Sequence, residues 1–177
     1  MLQGFYVTLI IFLGMMGHLG SLLEAKDAAT IVQGMQDLSL KTHIVRQSLD
    51  DFDGSFIKAL LLARDVYEVS KAAEVSRKSF EDAEPLSQDD VPNIVENYHA
   101  VRQSIDDALN AVPAKINSID SLGVRMFATG LLRNFAADRT AYEKASKAKI
   151  PVDNHTSIQG PIDSLANSFD TALSLFL

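Results

Sequence analysis

From residue 26 onward, the apolar residues of this chain recur at spacings of three and four, and no stretch alternates apolar and polar residues with a period of two. Such spacing places apolar side chains on one face of an α-helix. A helix with one apolar face becomes stable by packing that face against other helices. The pattern therefore predicts an all-α fold, a bundle of about five amphipathic helices.

Turn-forming residues divide this pattern into five predicted helices. The helices cover residues 27–52, 55–83, 87–112, 114–148 and 161–176. Gly54 can take the positive φ that ends many helices, which favours a break at Asp53-Gly54. Pro85 and Pro113 mark two further breaks, because the residue before a proline avoids the α region.

Three details of the predicted helices depend on single residues. Ser87, with an acidic residue three positions later, resembles a capping box that opens the third helix. Gly123 and Gly130 are expected to bend or split the fourth helix. A loop at 149–160 follows, and Pro161 then stands in the first turn of the fifth helix.

The amino-terminal region contains the only long stretch without a charge, residues 5–23. Its densely apolar part, Phe5 to Met16, is shorter than the roughly 20 residues of a membrane-spanning helix, and small residues follow it. We expect a signal peptide at 1–25, cleaved between positions 17 and 25, rather than a membrane anchor, although no Lys or Arg precedes the apolar part. Residues 26–177 then form a single helical domain without a transmembrane span.

The net charge and the lack of cysteine limit which partners the protein can have and how it is stabilised outside the cell. Lys and Arg number 16 against 23 Asp and Glu, a net charge of −7, and no basic run is interleaved with aromatic residues. Nucleic acid and anionic membrane surfaces are therefore disfavoured as partners. An exported chain without disulfides depends on helix packing for its stability. The sequon that begins at Asn154 predicts glycosylation there, in a surface loop.

The residues of common catalytic and metal sites are scarce. His43, His99 and His155 are the histidines that follow the predicted signal peptide. Glu96 and His99 have the Glu-x-x-His spacing of a di-iron bundle, but a second copy of that motif is missing. The sequence also contains no glycine-rich phosphate loop and no nucleophile elbow. We therefore predict a protein that is not an enzyme and uses no metal or cofactor.

A nine-residue segment occurs twice, as residues 43–51 and 99–107, with seven of nine positions identical. One interpretation is that two amphipathic helices converged on similar surfaces. The other is that a helical hairpin was duplicated. Under the second interpretation, Val45 and Val101 occupy equivalent core positions, as do the residues four positions after each.

Five short motifs carry a resemblance to a known family. They are Lys26-Asp27-Ala28-Ala29, Phe52-Asp53-Gly54, Ile119 to Gly123, Lys149-Ile150-Pro151 and the segment Ile162 to Phe176. Together they make residues 26–177 similar to the fungal hydrophobic-surface-binding protein A family, which includes the antigenic cell-wall galactomannoproteins. The resemblance implies a five-helix bundle that either holds fatty acids or other lipids in its apolar interior or adsorbs to hydrophobic surfaces and assists secreted esterases.

The functions that the resemblance implies remain distinct alternatives. A carrier encloses one lipid, whereas a surface-active protein exposes an apolar face, and a structural cell-wall antigen is a third alternative. The chain lacks the Ser/Thr-rich tail of the longer cell-wall members, which favours a freely secreted, extracellular protein over one attached to the cell wall.

Candidate ligand-binding residues come from the apolar stripes, because the resemblance supplies no individual binding residue. The apolar cavity candidates are Met35, Leu38, Leu62, Val66, Tyr98, Val101, Met126, Phe127, Leu131 and Phe169. Ordinary core packing is the alternative for each of them. The flexible side chains of the two methionines are expected to adapt the cavity to ligands of varied shape. Thr42 and Ser70 lie on or beside these stripes and are candidates for hydrogen bonds to a lipid head group.

Overall fold

The computed structural model describes the backbone of residues 2–176 and the side chains of residues 27–176. The helices are α1 (Leu2–Asp51), α2 (Phe56–Asp82), α3 (Val91–Ala111), α4 (Ile116–Ser121), α5 (Arg125–Lys149) and α6 (His155–Ser174). Short 3-10 turns at Pro113–Lys115 and Val152–Asn154 precede α4 and α6. The described chain is helical without strands, which confirms the predicted fold class.

The five long helices form a ring around a common interior. In this ring, α1 lies between α2 and α3, α5 lies between α2 and α6, and α6 also packs on α3. Helices α2 and α5 run in the same direction. Ser76 of α2 is hydrogen-bonded to Tyr142 of α5, and Lys149 at the end of α5 donates to the backbone oxygen of Ala83, just after α2.

The ring has two unlike ends. At the end that we call the open end, α1 and α3 finish while α2 and α5 begin. Lys115 Nζ donates there to the backbone oxygens of Asp50 and Phe52, at 2.8 and 3.1 Å. At the other end, the closed end, Ser76 approaches α1 directly. A Cβ added to Gly34 would lie 3.1 Å from Ser76 Cα, so glycine permits this close contact between α1 and α2.

The turn between α1 and α2 forms where the sequence predicts it. Gly54 has a φ of +87°, and Ser55 is the residue that caps α2, with its Oγ accepting from the Lys58 amide at 3.4 Å. Asp53 Oδ1 accepts from the Ser55 amide at 2.9 Å. This backbone hydrogen bond is the main reason that the pKa of Asp53 lies well below its usual range.

The structure confirms the predicted break at Gly123, and it corrects the start of the third helix and the predicted effect of Gly130. Helix α3 begins at Val91, because the Ser87 hydroxyl donates to the Asp90 carboxylate at 2.6 Å rather than capping a backbone amide. Gly123, with a φ of +70°, separates α4 from α5, whereas Gly130 lies inside α5.

The last helix also differs from the prediction. Helix α6 begins at His155, so Pro161 lies inside it rather than in its first turn. Ile158, in the turn before the proline, is completely buried. Its burial stabilises a helical conformation in a segment that the sequence assigns to a loop.

The predicted signal peptide lies outside the residues whose side chains are described. Among the residues that are described, no helix is long and apolar enough to cross a membrane.

Candidate functional site: a cavity inside the ring

A cavity of about 650 Å³ lies inside the ring, and all six helices contribute to its mainly apolar wall. Along α1 and the residue that follows it, the wall extends from Leu38 to Phe52, a length of about 21 Å at 1.5 Å per residue. A methylene group takes up about as much space as a water molecule, roughly 30 Å³. The cavity therefore has room for an acyl chain of about 20 carbons.

Most of the candidates chosen from the sequence lie on this wall. Eight of the ten apolar candidates line the cavity, and they are Leu38, Leu62, Val66, Tyr98, Val101, Phe127, Leu131 and Phe169. They come from five helices, because the apolar stripe of each long helix faces the interior of the ring. Their contact with a ligand remains a prediction.

Met35 and Met126 do not line the cavity. Met126 is 89% exposed. Helix α5 begins at Arg125, and its first turn directs Met126 outward, whereas Phe127 forms part of the cavity wall. Met35 is completely buried in the core, one turn before Leu38, at the level where Gly34 brings α1 and α2 together. The two methionines therefore cannot adapt the cavity to its ligand as predicted.

Thr42 and Ser70 both line the cavity, but only one of them has a free hydroxyl. The Thr42 hydroxyl donates to the backbone oxygen of Leu38 at 2.8 Å, which leaves it with acceptor capacity alone. Ser70 is half-buried and makes no hydrogen bond to the described residues. Ser70 thus remains a candidate donor for a head group.

Two tyrosines line the wall toward the closed end, Tyr98, which is buried, and Tyr142, which is half-buried. The Tyr142 hydroxyl is 2.9 Å from Ser76 Oγ, and the Tyr142 ring lies edge-on to Phe80 with centroids 5.6 Å apart. The rings of Tyr98 and Tyr142 are 6.1 Å apart. Burial raises the pKa of Tyr98 to about 12 and also raises that of Tyr142. Both hydroxyls are therefore uncharged at neutral pH.

Beside these tyrosines, Arg139 and Glu143 line the same wall and make an incomplete pair. Arg139 Nη1 lies 3.5 Å from Glu143 Oε1, too far for a good hydrogen bond. Arg139 Nε and Nη1 and Glu143 Oε1 are all buried, and none has a hydrogen-bond partner among the described residues. A buried polar atom without a partner costs about 1–3 kcal/mol, and more when it is charged.

Burial also changes the ionisation of Glu143. It raises the pKa of this carboxyl above its usual value, while the positive charges of Arg139 and Lys147 act in the opposite direction. Arg139, Glu143, Tyr98 and Tyr142 are called the polar cluster below. The cavity wall therefore has a polar region at one end of a long apolar surface.

The open end of the ring has the opposite character. Large apolar side chains at the starts of α2 and α5 are exposed there, and they are Phe56, Ile57, Leu60, Leu61, Met126 and Phe127. This set is called the apolar rim below. Phe56, Leu60 and Phe127 of the rim also line the cavity, so the exposed apolar surface continues into the interior.

The family model for hydrophobic surface binding protein A matches residues 28–148. The chain belongs to the hydrophobic surface binding protein A family. This membership confirms the resemblance seen in the sequence motifs. No curated protein matches the chain at a significant level.

Solved structures share the fold of this family member. One, described as AFMP4P in complex with palmitic acid, is 19% identical, with 85% of this chain and 99% of that chain covered and a TM-score of 0.82. Ligand binding domain 1 of the Penicillium marneffei MP1 protein, complexed with arachidonic acids, is 15% identical with coverages of 85% and 99% and a TM-score of 0.80. Domain 2 of that protein, complexed with multiple arachidonic acids, is 18% identical with coverages of 84% and 94% and a TM-score of 0.78.

The Arg139–Glu143 pair was missed by the sequence analysis, although the sequence contains a signal for it. Leu131, Phe135, Arg139 and Tyr142 are separated by four, four and three residues, so they share one face of α5. A charged residue in the middle of an apolar helix face is unusual. That position identifies Arg139 as a candidate for a role inside the bundle.

Proposed function

We propose that this protein binds a fatty acid or a related lipid, with the acyl chain inside the ring. The apolar cavity of about 650 Å³ carries this proposal. The same fold occurs in structures described as complexes with palmitic acid and with arachidonic acids, which supports the choice of ligand class.

The expected affinity follows from the apolar surface of the ligand. Burial of one methylene group contributes about 0.8 kcal/mol, so a long acyl chain gains roughly 10 kcal/mol or more. Part of this gain is lost when the ligand and the cavity side chains become ordered. An affinity on the order of micromolar remains, and it requires no catalytic or metal chemistry.

Three properties accompany this proposal. The protein acts by binding rather than by catalysis, and it is secreted after removal of a signal peptide that ends between positions 17 and 25. Asn154 carries a glycan. The Asn154 side chain is half-buried at the start of α6, and its amide donates to Gln88 Oε1 at 2.8 Å, so a glycan attached there would replace this contact.

Native mass spectrometry of the purified protein tests the carrier proposal. We expect a one-to-one complex with co-purified fatty acid, and saturable binding of palmitic acid after the lipid is stripped. Val66→Asp, which places a charge on the cavity wall, should abolish this complex, whereas Tyr67→Asp at an exposed position should preserve it. Stripped protein that neither retains nor binds palmitic acid, yet has a normal melting curve, would contradict the proposal.

The apolar rim supports adsorption to hydrophobic surfaces as a second candidate function. Ile57 and Met126 are 72% and 89% exposed, and neither lines the cavity. Assistance to a secreted esterase, or a structural role in the cell wall, would build on such adsorption.

Depletion of the protein from solution by hydrophobic beads separates the two functions. The double variant Ile57→Ser, Met126→Ser should adsorb several-fold less than the wild type while its affinity for palmitic acid is unchanged. Equal adsorption by both proteins would remove the rim as the adsorbing surface.

A further inference from the structure

We propose that Arg139 and Glu143 bind the carboxyl group of the fatty acid, and that this carboxyl group and Glu143 together hold one proton. The inference rests on the proposed function and specifies its head-group site. The acyl chain then extends from the polar cluster toward the open end.

The hydrogen-bonding capacity of the pair determines which head group it fits. Arg139 has two buried nitrogens that lack an acceptor, and Glu143 has a buried oxygen that lacks a donor. A head group that both accepts and donates satisfies both residues. A carboxyl group with a proton does so, because its carbonyl oxygen accepts from Arg139 and its hydroxyl donates to Glu143.

Arg102, another half-buried arginine of the wall, is less suitable. Its Nη2 lies 3.0 Å from Asp106 Oδ2 and also donates to the Ser164 hydroxyl. Its charge is therefore neutralised by direct contact within the protein, and Asp106 does not line the cavity. Arg102 Nε and Asp106 Oδ1 are also buried without a partner, but Arg139 and Glu143 both line the cavity, so both charges of that pair are open to a ligand.

The groups around Glu143 determine whether a second carboxylate can bind beside it. On α5 these groups are Arg139 and Lys147, and on α6 the group is Asp163. Tyr98 on α3 interacts with Glu143 and is uncharged at neutral pH, as is Tyr142.

Further charged groups line the cavity wall on α2 and α5. On α2 these are Glu74, paired with Lys78, and Arg77, paired with Glu81, and on α5 the group is Asp138. Helix α1 brings the uncharged Leu38 and Thr42 at this level. Two adjacent carboxyl groups in a buried site repel each other when both are ionised, so they retain one proton between them.

Proton uptake follows from this arrangement. When an ionised fatty acid binds beside an ionised Glu143, one proton enters the site from the solvent. The affinity therefore falls as the pH rises, by up to tenfold per pH unit. A fatty alcohol satisfies the same pair without proton uptake, because its hydroxyl accepts from Arg139 and donates to Glu143.

Calorimetric titration of lipid-stripped protein with dodecanoic acid tests the proposal. Measurements at pH 6 and pH 8, in buffers of different ionisation enthalpy, give both the affinity and the number of protons taken up. The wild type should take up about one proton at pH 8 and bind more weakly there than at pH 6, whereas 1-dodecanol should bind equally at both.

Two variants of the pair are compared with matched controls. Glu143→Gln should abolish proton uptake and the pH dependence, because the amide donates directly to an ionised carboxylate. Arg139→Gln should weaken binding about tenfold, the effect of losing one charge-assisted hydrogen bond. Glu96→Gln and Arg133→Gln, at exposed positions, should behave as the wild type.

Three results would overturn the head-group assignment: wild-type proton uptake in Glu143→Gln, dodecanoic acid binding without proton uptake in the wild type, or unchanged affinity in both variants. In each case the carboxyl group lies elsewhere while the carrier function stands. Failure of the wild type to bind either dodecanoic acid or 1-dodecanol would instead refute the carrier function. The conservative Glu143→Gln variant decides the assignment if Arg139→Gln does not fold.

Discussion

Helices α2 and α5 run in the same direction, and the two ends of this helix pair differ in how their side chains pack. At the closed end, Phe80, Ser76 and Ser146 are fully buried, and the Tyr142 hydroxyl joins the two helices. At the open end, the side chains of Phe56 and Phe127 are 69% and 59% exposed. The contrast indicates that the closed end stabilises the ring while the open end leaves room for a ligand.

The largest expected difference between the ends is in the stability of the fold. Phe80→Ala removes a fully buried ring that contacts Tyr142, and we expect it to lower the free energy of unfolding by about 3–5 kcal/mol. Phe127→Ala, at the open end, should lower it by less than about 1 kcal/mol. Urea denaturation of both variants without lipid measures the difference. Similar losses in the two variants would mean that the ends contribute equally to stability.

A smaller loss of folding stability is expected at high pH, where the tyrosines of the closed end ionise. Burial raises the pKa of the Tyr98 hydroxyl in the folded protein to about 12, compared with about 10 in an unfolded chain. Its contribution to stability is therefore complete below pH 10 and is lost as the pH rises to 12. The loss is about 2–3 kcal/mol.

Unfolding measured from pH 9 to 12 checks this dependence. Tyr98→Phe should flatten the decline, while Tyr67→Phe, at an exposed position on α2, should not change it. A decline that is as steep in Tyr98→Phe as in the wild type would show that Tyr98 ionises normally.

A still smaller loss of folding stability is expected from a substitution at the contact between α1 and α2. Gly34→Val places a side chain against Ser76 and should cost about 1–3 kcal/mol by overpacking. Gly130→Val introduces the same side chain into a helix where an added Cβ meets nothing within 4 Å. Thermal melting should therefore show a larger loss for Gly34→Val, and equal melting temperatures would argue against close packing at the closed end.

The sequence predicts the helices well because their signals are local. The spacing of three and four between apolar residues, and the turn that Gly54 permits, depend on neighbouring residues alone. Helix α6 starts earlier than expected because Ile158 is buried by helices that are distant in sequence. Met126 was misplaced for a related reason, since the start of α5 after Gly123 determines which of its first residues face the cavity.

The apolar part of the cavity was predictable, but its polar cluster was not. Leu62 and Val66 lie on a stripe that the sequence displays, and any ring of amphipathic helices turns such stripes inward. The importance of Arg139 depends on which hydrogen bonds it fails to make. Only the positions of residues from several helices reveal that its donors and the Glu143 oxygen are left without partners.

The central claim is that the acyl chain lies in the cavity and that its methyl terminus points toward the open end of the ring. Its most direct test is the affinity for saturated fatty acids of increasing length, measured for the wild type and for Ala128→Phe. Ala128 lines the cavity one turn beyond Val124, near the start of α5. A phenylalanine there should fill space that the end of a long chain would occupy.

In the wild type, each added methylene group should strengthen binding about fourfold, corresponding to about 0.8 kcal/mol, until the chain fills the cavity. In Ala128→Phe this increase should stop several carbons earlier, with short chains bound as in the wild type and with an unchanged melting temperature. Identical dependence on chain length in both proteins would contradict the claim and place the acyl chain outside the cavity.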